Sequence, residues 1–499
     1  MTTTTATAIT NTTVPTLECD TQLGVIPEPR SVQWGNHKLH LHHGEQAVVI
    51  DHSGSRRLAP AVARLRGDLD QYRVAGQPAS HPLVTVSCRD GNHPSEEGYG
   101  LRVTETGITI EGNSVAGCFY GIQTLRQMLR LAKEDCAGGP LSLPGVVIED
   151  APRYAWRGMM VDSARNYQPL EFLKSLVDRL AHYKFNVMHW HLVDDQGWRL
   201  EIKSHPRLTA EASYWSMGDR SRGGYYTQAE IRELVAYAAQ RFVRIVPEIE
   251  MPGHCTAVLT VYPELSCTGG PFALAGIQCI EHDIFCAGND AVFRFLEDVL
   301  DEVVELFPDP YIHIGGDEAP KERWMACPRC QNRLRREGLA DEDALQGWFI
   351  GQIHRYLKAR DRRIIGWDDL GTKNLPADVA FQWWRNRTPD AWRWPSQWAA
   401  KGHQAIFSPT SHCYLDYSED VISVAKLLTL QLTADHALIA PEQAHRLFLG
   451  GECNVWTEKI PWEAFNSRVF PRAYAFIEAL WRANEQVDPE MFARRVRRH

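Results

Sequence analysis

From Tyr154 onward, short apolar runs alternate with amphipathic segments, and the alternation repeats eight times. The runs lie at residues 158–161, 185–190, 243–246, 311–314, 363–367, 379–384, 405–407 and 447–455. Each is short, apolar and bounded by turn or polar residues, as a buried strand is. Helical apolar spacing fills most of the gaps, at 170–182, 228–241, 291–307, 345–360 and 391–401. Eight β/α units over roughly 330 residues predict an α/β protein whose catalytic part is a (β/α)8 TIM barrel with loop insertions.

A barrel carries its chemistry at the C-terminal ends of its strands. Polar and aromatic residues stand at every one of those ends. Asp162 and Arg165 follow the first run, His191, Asp194 and Asp195 the second, and Glu248, Glu250 and His254 the third. Asp317 and Glu318 follow the fourth, and Trp367 and Asp368 the fifth. Trp383 and Trp384 close the sixth run, Tyr414 and Asp416 lie beyond the seventh, and Glu452, Trp456 and Glu458 surround the end of the eighth.

The fourth end is the most informative. His313-Ile314-Gly315-Gly316-Asp317-Glu318 is a strand stopped by two glycines and followed by two adjacent carboxylates. Consecutive strand residues point to opposite faces, so the two acids can share a site only where the strand has ended. Paired carboxylates there suit acid–base work on a polar, uncharged substrate such as a sugar. A helix N-terminus, where the dipole favours Asp and Glu, is the structural alternative.

The rest of the chain narrows the partners. A net charge of −9 with no basic stripe argues against nucleic acid. The Arg-rich tail, 494–498, reads as a solvated end. No apolar run approaches the roughly 20 residues that a membrane span requires. Twelve cysteines are scattered rather than dense. Cys327-Pro328-Arg329-Cys330 is a lone CxxC, half of a zinc site with no convincing second half, so it reads as a loop staple or two free thiols. Cys267, Cys279 and Cys286 are close enough in sequence to staple a loop, with their pairing open. No metal site and no cofactor is expected.

Three segments are expected. Residues 1–20 form a Thr-rich, low-complexity leader without the basic and apolar regions of a signal peptide. That predicts a cytoplasmic protein. Residues 21–150 form an α+β accessory domain, with strand-like stretches at 47–50, 83–86 and 107–110 and helical spacing at 61–69 and 116–132. Residues 151–499 form the barrel. The sequence carries no signature of an oligomeric state.

Laid out in order, these motifs resemble the family 20 glycoside hydrolases, the β-N-acetylhexosaminidases. Arg157-Gly158-Met159-Met160-Val161-Asp162-Ser163-Ala164-Arg165 resembles the first barrel strand and substrate arginine of that family. The stretch from Asn186 through His189-Trp190-His191 and Asp194-Asp195 to Arg199 resembles the second. Val246-Pro247-Glu248-Ile249-Glu250-Met251-Pro252-Gly253-His254 is similar to the third, and the glycine–acid hexapeptide to the fourth. Gly450-Gly451-Glu452, with Trp456-Thr457-Glu458, is similar to the eighth, and Pro471-Arg472-Ala473, with Glu478-Ala479-Leu480-Trp481, to the closing helix. The accessory segment is similar at Ile26-Pro27-Glu28-Pro29 and Gly121-Ile122-Gln123-Thr124-Leu125.

The resemblance implies exo-acting, retaining hydrolysis of terminal β-linked N-acetylhexosamine, with the 2-acetamido group of the substrate as nucleophile. It implies that Glu318 is the general acid and later the base, that Asp317 orients the acetamido N–H, and that Tyr414 binds its carbonyl. Asp194 and His254 match a pair behind the acid. Trp367, Trp384 and Trp456 match the aromatic enclosure, and Arg165, Asp416 and Glu458 the groups that hold sugar hydroxyls. Adjacent carboxyls should titrate apart, with Asp317 the ionised member. The family's habit of acting outside the cell makes secretion the alternative location. Two rivals remain in view. A metal-dependent amidohydrolase would use the His189/His191 pair with Asp194 and His254, and a sugar-binding protein with a dead site would lack the acids that this chain retains.

Overall fold

The computed structural model describes residues 23–499 apart from 42–48, 72–82, 91–94, 137–140, 215–218, 220–221, 275, 277–279, 371–374, 459 and 483–486. The expected leader and Cys279 lie outside the described residues.

The first part is a six-stranded mixed sheet, β1 (Ser31–Leu41), β2 (Val49–Asp51), β3 (Val84–Cys88), β4 (Tyr99–Val103), β5 (Ile108–Gly112) and β6 (Leu141–Asp150), in the order β1-β6-β4-β5-β3-β2. Helices α1 (Ala59–Asp70) and α2 (Val115–Asp135) cover it. The apolar stretches read from the sequence are β2, β3 and β5 together with both helices. Strands β1, β4 and β6 did not show in the sequence, and their composition explains why. β1 is a largely exposed edge rich in polar residues, β4 contains Gly100, and β6 contains Pro144-Gly145. Such interruptions blur the two-residue period.

The second part is a closed barrel of eight parallel strands, β7 (Trp156–Asp162), β8 (Val187–His191), β9 (Arg244–Glu248), β10 (Tyr311–His313), β11 (Arg363–Trp367), β12 (Ala380–Trp383), β13 (Ala405–Phe407) and β14 (Phe448–Val455), with β14 pairing back to β7. Each expected run became one strand. The expected helix at 391–401 is a 3-10 turn, Pro389–Arg393, leading into a short helix, Trp394–Ala400. Pro395, which suits only the first turn of a helix, sets the restart.

Inside the barrel the strand period of two sorts residues into layers. Val187, Val246, Tyr311, Ile365, Ala380 and Ile406 pack as an apolar floor. Two residues further along their strands come His189, Glu248, His313, Trp367 and Gln382, all buried. The strands thus switch from an apolar layer to one dominated by hydrogen-bonding side chains at the height where the site begins.

A polar seam joins the two parts. The Arg157 guanidinium is fully buried and pairs with Glu97 (2.7 and 3.0 Å) and the Tyr120 hydroxyl (3.0 Å). Phe119 of α2 stacks on Phe242 of the barrel, with ring centres 4.6 Å apart. The Arg-rich tail is not the solvated end expected of it. Arg495, in the helix Pro489–Val496, is buried, pairs twice with Glu478 (2.9 and 3.1 Å) and donates to the Val25 carbonyl (3.1 Å). A count of charges could not reveal that Glu478 waits inside. No helix among the described residues is long and apolar enough to cross a membrane.

Candidate active site

The barrel mouth opens into a cavity of about 440 Å³. Every site residue expected from the sequence lines it except Trp367. The Trp367 indole is fully buried beneath the site and donates to Glu248 Oε1 (2.7 Å), with its ring 5.9 Å from that of Trp456. It supports Trp456 from below.

Asp317 and Glu318 sit where the hexapeptide bends. Gly315 and Gly316 take φ of 62° and 95°. A Cβ on Gly315 would lie 1.6 Å from Glu250 Oε2, so only glycine lets that carboxyl approach. Glu318 (φ 42°) and His254 (φ 48°) are non-glycine residues in the left-handed region. Backbone strain of this kind persists where surrounding structure enforces it, and it gathers at functional sites.

His254 lies between two pairs of carboxylates. Its Nδ1 faces Asp194 (3.3 Å) and Asp195 (3.2 Å), and its Nε2 faces Glu318 (3.7 Å) and Asp317 (3.9 Å). Burial opposes its charged form, but Asp194 and the other acids outweigh burial and hold it well above the ordinary histidine range. The surrounding carboxylates thus favour the charged form of His254. Asp194 is anchored from its other side by Arg165 Nη2 (2.7 Å) and by His191 Nε2 (2.8 Å). Burial raises Asp194, yet Arg165 and His254 prevail and keep it well below the usual carboxylate range.

Asp317 departs from expectation. Burial, with Asp369 and Glu318 adding to it and His254 opposing, pushes its carboxyl up to about 8. The sequence reading made Asp317 the ionised member, but it counted charges and could not weigh desolvation. Burial and the neighbouring Asp317 and Glu248 likewise raise Glu250 well above its usual range. The pocket thus keeps protons that an exposed pair would release.

Strand alternation settles the tryptophans. Gln382 points inward, its Nε2 donating to Glu452 Oε1 (2.8 Å). Trp383 points outward onto Trp392 and Phe407, and Trp384 turns back into the cavity. The Trp384 indole donates to Asp369 Oδ2 (2.8 Å) and its ring lies nearly parallel to that of Tyr414, with centres 6.3 Å apart. Tyr414 and Asp416 are held by Arg472, whose buried guanidinium donates to the Leu415 (2.5 Å) and Tyr417 (2.7 Å) carbonyls. Arg165 lies over the Trp456 ring at 4.9 Å. Burial, with Glu458 adding to it, pushes Asp416 up to about 7. Two acceptors stand out among the described residues: Asp317 Oδ1 and Asp416 Oδ1 are buried and have no hydrogen-bond partner in the protein.

The HxH spacing has its own account. His189 bridges Glu452 (2.7 Å) and Glu248 (3.1 Å), while His191 bonds both Glu248 and Asp194. His313 adds a third imidazole to Glu248 (2.8 Å). Burial disfavours these charges, but the acids dominate for two of the rings, lifting His189 to about 9 and His191 to about 10. Such a layer satisfies the buried Glu248, and a rigid polar support of this kind fixes the residues above it. In the sequence Glu248 and Glu452 stand at strand ends with nothing to mark this role. Arg387 and Tyr417 also line the cavity, and no sequence signal pointed to them. Both are loop residues, and loops carry no periodicity from which to read them.

Two family models cover almost the whole chain. Residues 154–484 match the catalytic domain of glycosyl hydrolase family 20, and residues 22–151 match domain 2 of the same family. The chain belongs to glycosyl hydrolase family 20. Its similarity to the β-hexosaminidase of Porphyromonas gingivalis is 36% identity over 495 residues, covering 96% of this family 20 chain and 63% of that protein. The chain thus spans less than two thirds of that relative's length. The solved β-N-acetylhexosaminidase of Streptomyces coelicolor A3(2) superposes with a TM-score of 0.82 at 31% identity, covering 96% of this chain and 95% of the other. A Streptomyces plicatus β-hexosaminidase mutant in complex with the product GlcNAc gives 0.81 at 30% identity, with 96% and 94% covered. The boundary between the two matched segments falls between β6 and β7.

Proposed function

We propose that this chain is an exo-acting, retaining β-N-acetylhexosaminidase, hydrolysing terminal β-linked GlcNAc or GalNAc of oligosaccharides or glycoconjugates by substrate-assisted catalysis. The observation that carries the reading is the unpartnered, buried Asp317 Oδ1 beside Glu318 in a tryptophan-walled cavity. That oxygen is an acceptor suited to an acetamido N–H. A hydrogen bond there favours the ionised form of Asp317 and offsets the burial that raises it.

The chemistry then follows. Glu318 donates its proton to the glycosidic oxygen as the bond from that oxygen to the anomeric carbon breaks. The acetamido carbonyl oxygen, aligned by the Tyr414 hydroxyl, forms the new bond to that carbon. Positive charge develops on the resulting oxazolinium ring, next to Asp317. Water then attacks the same carbon, Glu318 takes its proton, and the ring opens with retention. His254 faces both acids and sits on the Asp194–Arg165 support, so its charge tunes the pair through the cycle. Asp416 Oδ1 has free acceptor capacity for a sugar hydroxyl.

The reading is tested by hydrolysis of an aryl N-acetyl-β-glucosaminide alongside the matching aryl β-glucoside. The acetamido sugar is expected to react at least ~10³-fold faster in kcat/KM, because only it brings its own nucleophile and avoids a bimolecular attack. Comparable rates would contradict the proposal.

A further inference from the structure

The half zinc site seen in the sequence has its second half after all. Cys267 and Cys286, from the loop after β9, meet Cys327 and Cys330, from the loop after β10. The sequence could not show this, because about 40 residues and a barrel strand separate the two pairs and only the closed barrel brings their loops together. Three of the four thiols are buried and Cys267 is half-buried.

We propose that these four cysteines bind one structural zinc ion. The distances discriminate among the alternatives. Cys267 Sγ lies 3.7 Å from Cys330 Sγ, and Cys286 Sγ lies 3.5 Å from Cys330 Sγ and 3.8 Å from Cys327 Sγ. Four sulfurs, each about 2.3 Å from a central zinc in a tetrahedron, stand about 3.8 Å from one another. A disulfide requires about 2.05 Å, and two separate disulfides would not draw Cys286 equally toward two partners. An all-thiolate tetrahedron selects zinc over the oxygen-loving cations.

Local structure supports the assignment. Cys327 is the N-cap of the helix Pro328–Arg336 and Cys330 lies in its first turn, where the helix dipole favours thiolates. A Cβ on Gly288 would lie 2.2 Å from the Arg329 carbonyl carbon, so glycine is needed for this loop to press against the CxxC backbone. Arg329 Nη2 donates to the Ser266 carbonyl (2.7 Å), tying the two loops together beside the sulfurs. On binding, the thiols release their protons to water, four Zn–S bonds form, and no electrons are transferred.

The position gives the zinc a purpose. The loop after β9 carries His254, and the loop after β10 carries Asp317 and Glu318. Phe285, next to Cys286, donates its backbone N–H to the Pro252 carbonyl (3.0 Å) and accepts from the Trp324 indole (2.8 Å). The ion therefore clips together the two loops that hold the acid pair and its histidine, without touching the reacting atoms.

The test is elemental analysis of the full chain purified after expression with zinc and dialysed against metal-free buffer. About one zinc per chain is expected, with zinc lost in Cys327→Ser/Cys330→Ser and retained in Cys136→Ser, whose thiol lies outside the cluster. Expression with cobalt instead should give the intense visible and near-ultraviolet bands of tetrahedral cobalt thiolate, a readout on the unmutated protein that does not depend on the variants folding. Wild-type protein without bound zinc would overturn the proposal. So would these four cysteines resisting alkylation in denaturant without reductant, which marks disulfides, or iron in place of zinc.

Discussion

Asp317→Asn should leave a protein that is more stable than the wild type at alkaline pH and nearly inactive. The native carboxyl is raised to about 8, while an unfolded aspartate titrates near its ordinary value. Between those values the folded state holds a proton that the unfolded state has released. Stability from this group is therefore present at about pH 4 and is lost as pH rises through about 8. Asparagine carries no such penalty. The gap in unfolding free energy between variant and wild type should grow from near zero at about pH 4 to ~6 kcal/mol at pH 9. Thermal melts across that range measure it. A gap that stays flat with pH would show that Asp317 is not raised. Activity should fall on the order of 10²–10³-fold, because the amide cannot balance the oxazolinium charge. The same group that costs stability thus serves the reaction, a trade expected at active sites.

Glu318→Gln removes the proton, and its effect should depend on the leaving group. For an alkyl or sugar leaving group, kcat/KM should fall by about 10²–10⁴-fold, the usual scale of general acid catalysis. For a dinitrophenyl leaving group, which departs without protonation, kcat/KM should fall by less than about tenfold. A steep Brønsted plot for the variant against a shallow one for the wild type is the expected signature. Equal losses across all leaving groups would assign Glu318 to positioning rather than proton transfer.

Much of this was legible in the sequence because the barrel repeats one simple rule. Eight apolar runs with polar residues at their C-terminal ends locate the site on one face of the barrel. What escaped depends on three-dimensional proximity. Glu478 partners Arg495, and Cys267 and Cys286 join the CxxC, only after the chain has closed. Desolvation was equally invisible, so the upward pull of burial on the Asp317 carboxyl could not be read from charge alone. In each case the residue type was informative and its surroundings were not.

The central claim is that the nucleophile belongs to the substrate. It is tested most directly with aryl N-acyl-β-glucosaminides whose acetyl methyl carries zero, one, two or three fluorines. Fluorine changes size little but withdraws electrons from the carbonyl oxygen that must attack. The account predicts that log kcat/KM falls steeply and steadily along the series. A flat series would mean that a protein carboxylate attacks the anomeric carbon, and would contradict the account.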